Sequence, residues 1–281
     1  MNFHKAPHTY TGEVHLNVMD LDRSVRFYQE TIGFKLLEQG SSKAVLTADG
    51  KTPLLIIEQP ENVTPKEPHR SGLYHFALLL PERADLGAII KHFVQNNVRI
   101  GASDHLVSEA LYLSDPDGNG IEIYTDRNPE VWAWENGKVA MSTDPLDAES
   151  IVAESAGRTW EGLPAGTVMG HVHLHVANLP KAEIFYNALG FEVVTNYPQA
   201  LFISNGKYHH HIGLNTWNGE GVTRPQVGSV GLQSYALIYP NETVLNEAIT
   251  KLEAIDVNVE VNGGGFMTED PAGNRINLRV G

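Results

Sequence analysis

Two stretches decide how this chain folds: G-E-V-H-L-N-V-M-D-L-D-R-S-V-R-F-Y-Q-E-T-I-G-F, residues 12–34, and G-H-V-H-L-H-V-A-N-L-P-K-A-E-I-F-Y-N-A-L-G-F, residues 170–191. They share G-x-V-H-L-x-V, then F-Y, then G-F, and the second is one residue shorter across its helix. His15 falls over His173, and Gly33-Phe34 over Gly190-Phe191. A second pair follows: G-L-Y-H-F-A-L-L-L-P from Gly72 matches G-L-Q-S-Y-A-L-I-Y-P from Gly231. A third joins D-P-D-G-N-G-I-E-I from Asp115 to D-P-A-G-N-R-I-N-L from Asp270. Internal repetition of this kind means one supersecondary unit used several times. The chain divides into halves at residues 10–126 and 168–281, each of two related modules, with a linker at 127–167.

Each module has the same coarse order. An alternating or apolar strand comes first: Val14–Val18, Tyr74–Leu80, Val172–Val176, Ser234–Tyr239. An amphipathic helix follows, with Leu21, Val25, Tyr28 and Ile32 at helical spacing in the first copy and Val244, Leu245, Ala248 and Leu252 in the fourth. Gly33 and Gly190 fit helix C-cap positions. Three short strands close the module, and the Asp-Pro-x-Gly sequences are turns between the last two. The expected class is α+β, with βαβββ four times over. The linker carries Trp132, Trp134 and Trp160 and a short helix near Ala148–Glu154. No chemical role can be read from it.

Composition sets the bounds. The chain has 281 residues, 42% of them hydrophobic and 19% charged, enough for a substantial core. A formal net charge of -14 repels phosphate backbones, so no nucleic-acid partner is expected. The absence of cysteine excludes disulfides, thiolate nucleophiles and thiolate metal sites, leaving the 13 histidines and the carboxylates as metal donors. No apolar run is long enough to span a bilayer and the first residues contain no secretory core, so a soluble cytoplasmic protein is expected.

With the repeats and the D-P-D-G-N-x-I-E motif in hand, the chain resembles the vicinal oxygen chelate superfamily, which includes glyoxalase I, bleomycin- and fosfomycin-resistance proteins and extradiol dioxygenases. The resemblance covers nearly all of the chain outside the linker. It implies paired βαβββ modules forming two cups, each pair able to surround a divalent metal. The motif marks the superfamily rather than a reaction. The four-module length resembles the catechol 2,3-dioxygenase-like branch.

By that resemblance, metal ligands lie on the first strand of each module in a pair and on the last strand of one. First-strand positions hold His15, His75, His173 and Ser234, and last-strand positions hold Glu122 and Asn277. Two histidines and a carboxylate form the facial triad of non-haem iron. Module two supplies His75 and Glu122, and the third ligand is His173 if module three is its partner or His15 if module one is. The stretch K-Y-H-H-H-I-G-L-N-T-W, residues 207–217, favours module three. It reads as a strand, and His209-His210-His211-Ile212-Gly213-Leu214 resembles the H-H-x-I-A-L of extradiol enzymes, whose second histidine is an acid/base. Strand parity puts His210 on the face of Ile212 and Leu214, which the resemblance to glyoxalases turns toward the cup, and His209 and His211 on the other. The same resemblance implies roles for Tyr112, ten residues before Glu122, and for His105.

The expected site is therefore metal at His75, Glu122 and His173, with His210, Tyr112 and His105 as catalytic groups, in a cup of modules two and three. That cup forms within one chain or across a domain-swapped dimer. The implied cofactor is Fe(II), or Mn(II). The implied reactants are an aromatic diol and dioxygen, in a homo-oligomer that contacts neither membrane nor nucleic acid. Two alternatives come from the same superfamily. A glyoxalase-type isomerase with Zn(II) or Ni(II) would use His15, Glu58, His75 and Glu122. A small-molecule sequestering protein would need no metal.

Overall fold

The computed structural model describes residues 2–281. Module one is β1 (Tyr10–Asn17), α1 (Leu21–Arg26), β2 (Lys35–Gln39), β3 (Lys43–Thr47) and β4 (Pro53–Glu58). Module two is β5 (Gly72–Leu79), α2 (Arg83–Gln95), β6 (Gly101–Asp104), β7 (Ser108–Ser114) and β8 (Gly120–Asp126). The linker holds a small hairpin, β9 (Trp134–Glu135) and β10 (Lys138–Val139), and then α3 (Ala148–Glu154), the helix read from the sequence. Module three is β11 (Val168–His175), α4 (Leu179–Ala188), β12 (Glu192–Tyr197), β13 (Ala200–Ser204) and β14 (Ile212–Asn215). Module four is β15 (Gly231–Tyr239), α5 (Glu242–Glu253), β16 (Glu260–Asn262), β17 (Gly265–Glu269) and β18 (Arg275–Val280).

Local chemistry explains the helix ends. Asp20, Asn178 and Asn241 each accept a bond from the backbone N–H three residues on, which caps α1, α4 and α5. Gly33 and Gly190 have φ of 93° and 95°, a conformation cheap only for glycine. The extra residue in the first copy is taken up as a π-helical turn over Phe27–Ile32, closed by Gly33 N–H bonding Tyr28 O.

The modules assemble into two eight-stranded sheets, in the order β16-β17-β18-β15-β1-β4-β3-β2 and β12-β13-β14-β11-β5-β8-β7-β6. First strands pair antiparallel at each sheet centre: β1 with β15, and β5 with β11. Module one thus shares a sheet with module four, and module two with module three, all within one chain. No helix among the described residues is long and apolar enough to cross a membrane.

The F-Y and D-P-x-G-N motifs meet across modules that are neighbours in sequence. The Tyr28 hydroxyl donates to Asp115 Oδ2 at 2.9 Å, and the Tyr186 hydroxyl to Asp270 Oδ2 at 3.1 Å. Each aspartate also accepts the N–H groups of its own turn. All four side chains are buried. Tyr28→Phe removes one donor and leaves Asp115 its turn bonds, so a loss of about 1–2 kcal/mol is expected in a denaturant titration. An unchanged midpoint would show that this bond contributes nothing net.

Candidate metal centre and active site

Strand register lines the site residues up in two adjacent rows on one face of the second sheet. One row runs Gly101, Tyr112, Glu122, Ala77, His171. The next runs Gly120, His75, His173, Gly213, Phe202. Residues directly opposite across strands share a face, as do residues two apart along one. Ala77 stands between Glu122 and His171, and its single methyl lets their side chains meet above it. His171 Nε2 lies 3.1 Å from Glu122 Oε2, and His75 Nε2 lies 3.0 Å from the same oxygen. One donor atom from each of the three lies within 4.8 Å of the others, and all three residues are buried.

The expectation from sequence placed His173 third in this group. Its ring shares the face and lies 5.1 Å from the His75 ring, centroid to centroid, but the converging nitrogen belongs to His171. Register explains the difference. His173 sits opposite His75, whereas His171 sits in the row of Glu122. The His173 ring leans over Gly213, where a Cβ would come within 2.8 Å of it. Its Nε2 is buried without a partner.

Electrostatics suit a cation. Burial holds the His171 imidazole down to about 4, against the pull of Glu122, and burial holds His173 and His210 well below the ordinary histidine value. Burial pushes Glu122 up, but the charge and hydrogen bonds of His171 and His75 outweigh it and leave the carboxyl well below its usual range. At neutral pH His171 thus offers a free imidazole and Glu122 a carboxylate. His75 Nε2 makes no well-aligned hydrogen bond despite its burial, an orphan atom that a metal would satisfy. The donor set fits a divalent cation of the non-haem iron type.

The triple histidine is not a strand. His209 to His211 form a bend ahead of β14, so strand parity does not govern them. His210 nevertheless lines the cavity, its ring 4.1 Å from that of His171 and 4.9 Å from Phe202. His211 is a staple: its Nδ1 accepts from Asn205 N–H at 3.2 Å, and its Nε2 donates to Phe3 O at 3.1 Å. His209 bonds His210 on one side and Asp126 on the other.

Tyr112 faces Glu122 across the β7–β8 hairpin, which is why ten residues separate them. Its hydroxyl lies 2.6 Å from His105 Nε2. His105 Nδ1 lies 2.6 Å from Ser142 O, so that nitrogen donates. With Nδ1 donating, the lone pair of His105 at Nε2 receives the Tyr112 hydroxyl's hydrogen bond, and the phenol oxygen keeps its lone pairs for the cavity. Ser142 belongs to the linker, which pairs with the end of β6 through Asp104 and Asp144. The cavity measures about 410 Å³, and Met141, Ser142 and Thr143 form one wall. Tyr74, Tyr197, Phe202 and Trp217 form the others, and no lysine or arginine among the described residues lines it.

His15 and Glu58 lie 3.0 Å apart in the other sheet. They do not join His75 and Glu122.

The sequence profile of the Glyoxalase/Bleomycin resistance protein/Dioxygenase superfamily matches residues 8–123 and 168–278. The chain belongs to this superfamily. Within it, a catechol-2,3-dioxygenase of Bacillus subtilis (strain 168) is 41% identical over 268 residues, 94% of each chain. A metallothiol transferase FosB of Lysinibacillus sphaericus is 29% identical over 112 residues, 39% of this chain and 77% of its own. Among solved structures, glyoxalase I of Zea mays superposes with a TM-score of 0.57 at 15% identity, covering 96% of this chain and 92% of that one. That likeness is one of fold.

Superfamily membership accords with the resemblance drawn from the repeats and with the fold class. Three site features escaped sequence reasoning. His171 was passed over because H-V-H-L-H offers three alternate histidines on one face, and only cross-strand register selects among them. Ser142 acts through a backbone carbonyl, which carries no residue signature. Asp126 looks like an ordinary strand end.

Proposed function

We propose that this protein is an extradiol dioxygenase that opens the ring of a catechol beside one of its hydroxyls, using a divalent metal held by His75, Glu122 and His171. The observation that carries this reading is the convergence of two imidazoles and one carboxylate in a cavity that also holds His210 and the Tyr112–His105 pair. The 41% identity to a catechol-2,3-dioxygenase supports it. Fe(II) is the metal proposed, since two histidines and one carboxylate with open positions suit non-haem iron chemistry.

Bound there, the metal supplies Lewis-acid and one-electron chemistry toward the diol and dioxygen. The remaining work falls to the chain. Aromatic walls of Tyr74, Phe202 and Trp217 take the ring and exclude water. His210 accepts a proton from one catechol hydroxyl and returns it as the ring opens. Tyr112 accepts a hydrogen bond from the diol while its own O–H donates to His105, which Ser142 holds. Both oxygen atoms enter the product, so catechol and dioxygen give 2-hydroxymuconic semialdehyde with no other reactant.

The test is anaerobic Fe(II) loading of the apoprotein followed by catechol in air. Yellow semialdehyde with one dioxygen consumed per ring is the expected result. Stoichiometric metal without ring cleavage would overturn this reading.

A further inference from the structure

The reading of His210 as the proton acceptor leaves open what makes its cavity-facing nitrogen a base. A neutral histidine has two tautomers, and only one presents a lone pair at Nε2. The structure contains a hydrogen-bonded series that selects between them. His210 Nδ1 lies 2.8 Å from His209 Nδ1, and His209 Nε2 lies 2.8 Å from Asp126 Oδ1. His209 and His210 are both buried, whereas the Asp126 side chain keeps 20% of its exposure. Asp126 borders a separate crevice lined by Phe3, His4 and Leu79. The series thus runs from the reaction cavity to another crevice.

We infer that His209 and Asp126 are positioning residues that lock His210 in the Nδ1–H tautomer and so leave its Nε2 as the acceptor toward substrate. The chain of bonds admits this direction. A carboxylate only accepts, so His209 donates from Nε2. Neutral His209 is then an acceptor at Nδ1, and His210 must donate to it. Nε2 remains, on a ring that lines the cavity. The neighbouring hydroxyls leave this order intact. Tyr208 donates to Asp126 Oδ1 at 3.3 Å, and Tyr124 and Tyr208 share a bond of 2.6 Å, so the phenols support the carboxylate without competing for His210. Trp132 packs its ring 5.2 Å from that of His209, which fixes the imidazole plane. This is the logic of an aspartate that orients a catalytic histidine, with a second imidazole inserted between them.

This inference rests on the acid/base reading of His210, but its test does not depend on turnover. In apoprotein labelled with ¹⁵N-histidine, at a pH where the imidazoles are neutral, His210 is expected in the Nδ1–H form and His209 in the Nε2–H form. An Asp126→Leu protein is expected to show both tautomers at His210. In metal-loaded enzyme the same change should lower kcat at least about tenfold, with KM and metal content unchanged. Asp126→Asn keeps an acceptor oxygen for His209 and should recover most of kcat. Nε2–H at His210 in the unaltered protein would overturn the inference, as would a His210 tautomer indifferent to Asp126→Leu. Ring cleavage failing in an enzyme with the expected tautomers would instead sink the dioxygenase reading.

Discussion

His75→Ala and Glu122→Ala proteins are expected to emerge from purification and Fe(II) loading with no bound metal and no ring-cleaving activity. Glu122 bonds His171, lies 3.0 Å from His75 Nε2, and is the one anion of the donor group. Removing it leaves two neutral imidazoles to hold a dication, and removing an imidazole leaves only two donors. Loss of a residue that merely supports a ligand costs about 10–100-fold in affinity, so loss of a ligand itself should exceed about 100-fold. Metal analysis after gel filtration reads this directly. His171→Ala and His173→Ala decide the third donor. The first is expected to lose metal and the second to retain it. The reverse pattern would return His173 to the ligand set. Because burial holds His171 down to about 4, its lone pair persists in mildly acidic solution. Protonation of His171 should therefore begin to cost metal binding only as the pH approaches about 4.

His210→Phe is expected to leave metal content and catechol binding in place while kcat falls by roughly 10²–10⁴-fold, the usual contribution of a positioned acid/base. Phenylalanine fills the imidazole's volume between His171 and Phe202, so the cavity wall is kept and only the proton-accepting nitrogen is lost. Anaerobic titration with catechol separates binding from turnover. A variant that turns over normally would make the triple histidine purely structural. Each of the three then needs its own account, and the structure already gives two: His211 ties down the N-terminal segment and His209 bonds Asp126.

The repeats carried most of the architecture. A βαβββ unit pairs its first strand with its last and leaves the other edge of the first strand free, and antiparallel pairing of two such edges is the economical closure. Even the linker helix was legible, because its caps and apolar spacing are local. The F-Y and D-P-x-G-N motifs were visible as motifs, but their joint purpose, a buried tyrosine–aspartate bond, appears only once modules meet. The triple histidine misled as a strand because three polar residues beside β14 extend its apparent length, while the backbone there bends to give each ring a different partner.

What the sequence carried alone was the superfamily, through its repeated motifs, and the module order, since strand alternation and turn chemistry are local properties. The tertiary structure decided the rest. Which modules share a sheet depends on pairing between strands far apart in the chain, Tyr10–Asn17 with Gly231–Tyr239 and Gly72–Leu79 with Val168–His175. Which of His171 and His173 joins Glu122 depends on a register set by the bulge between Met169 and His171. His105 owes its tautomer to a linker carbonyl, and His210 faces His209 and Asp126 because the chain folds Asp126 against that bend. A side chain's type is written in the sequence, but the direction in which its lone pair points is set by neighbours that only the fold brings to it.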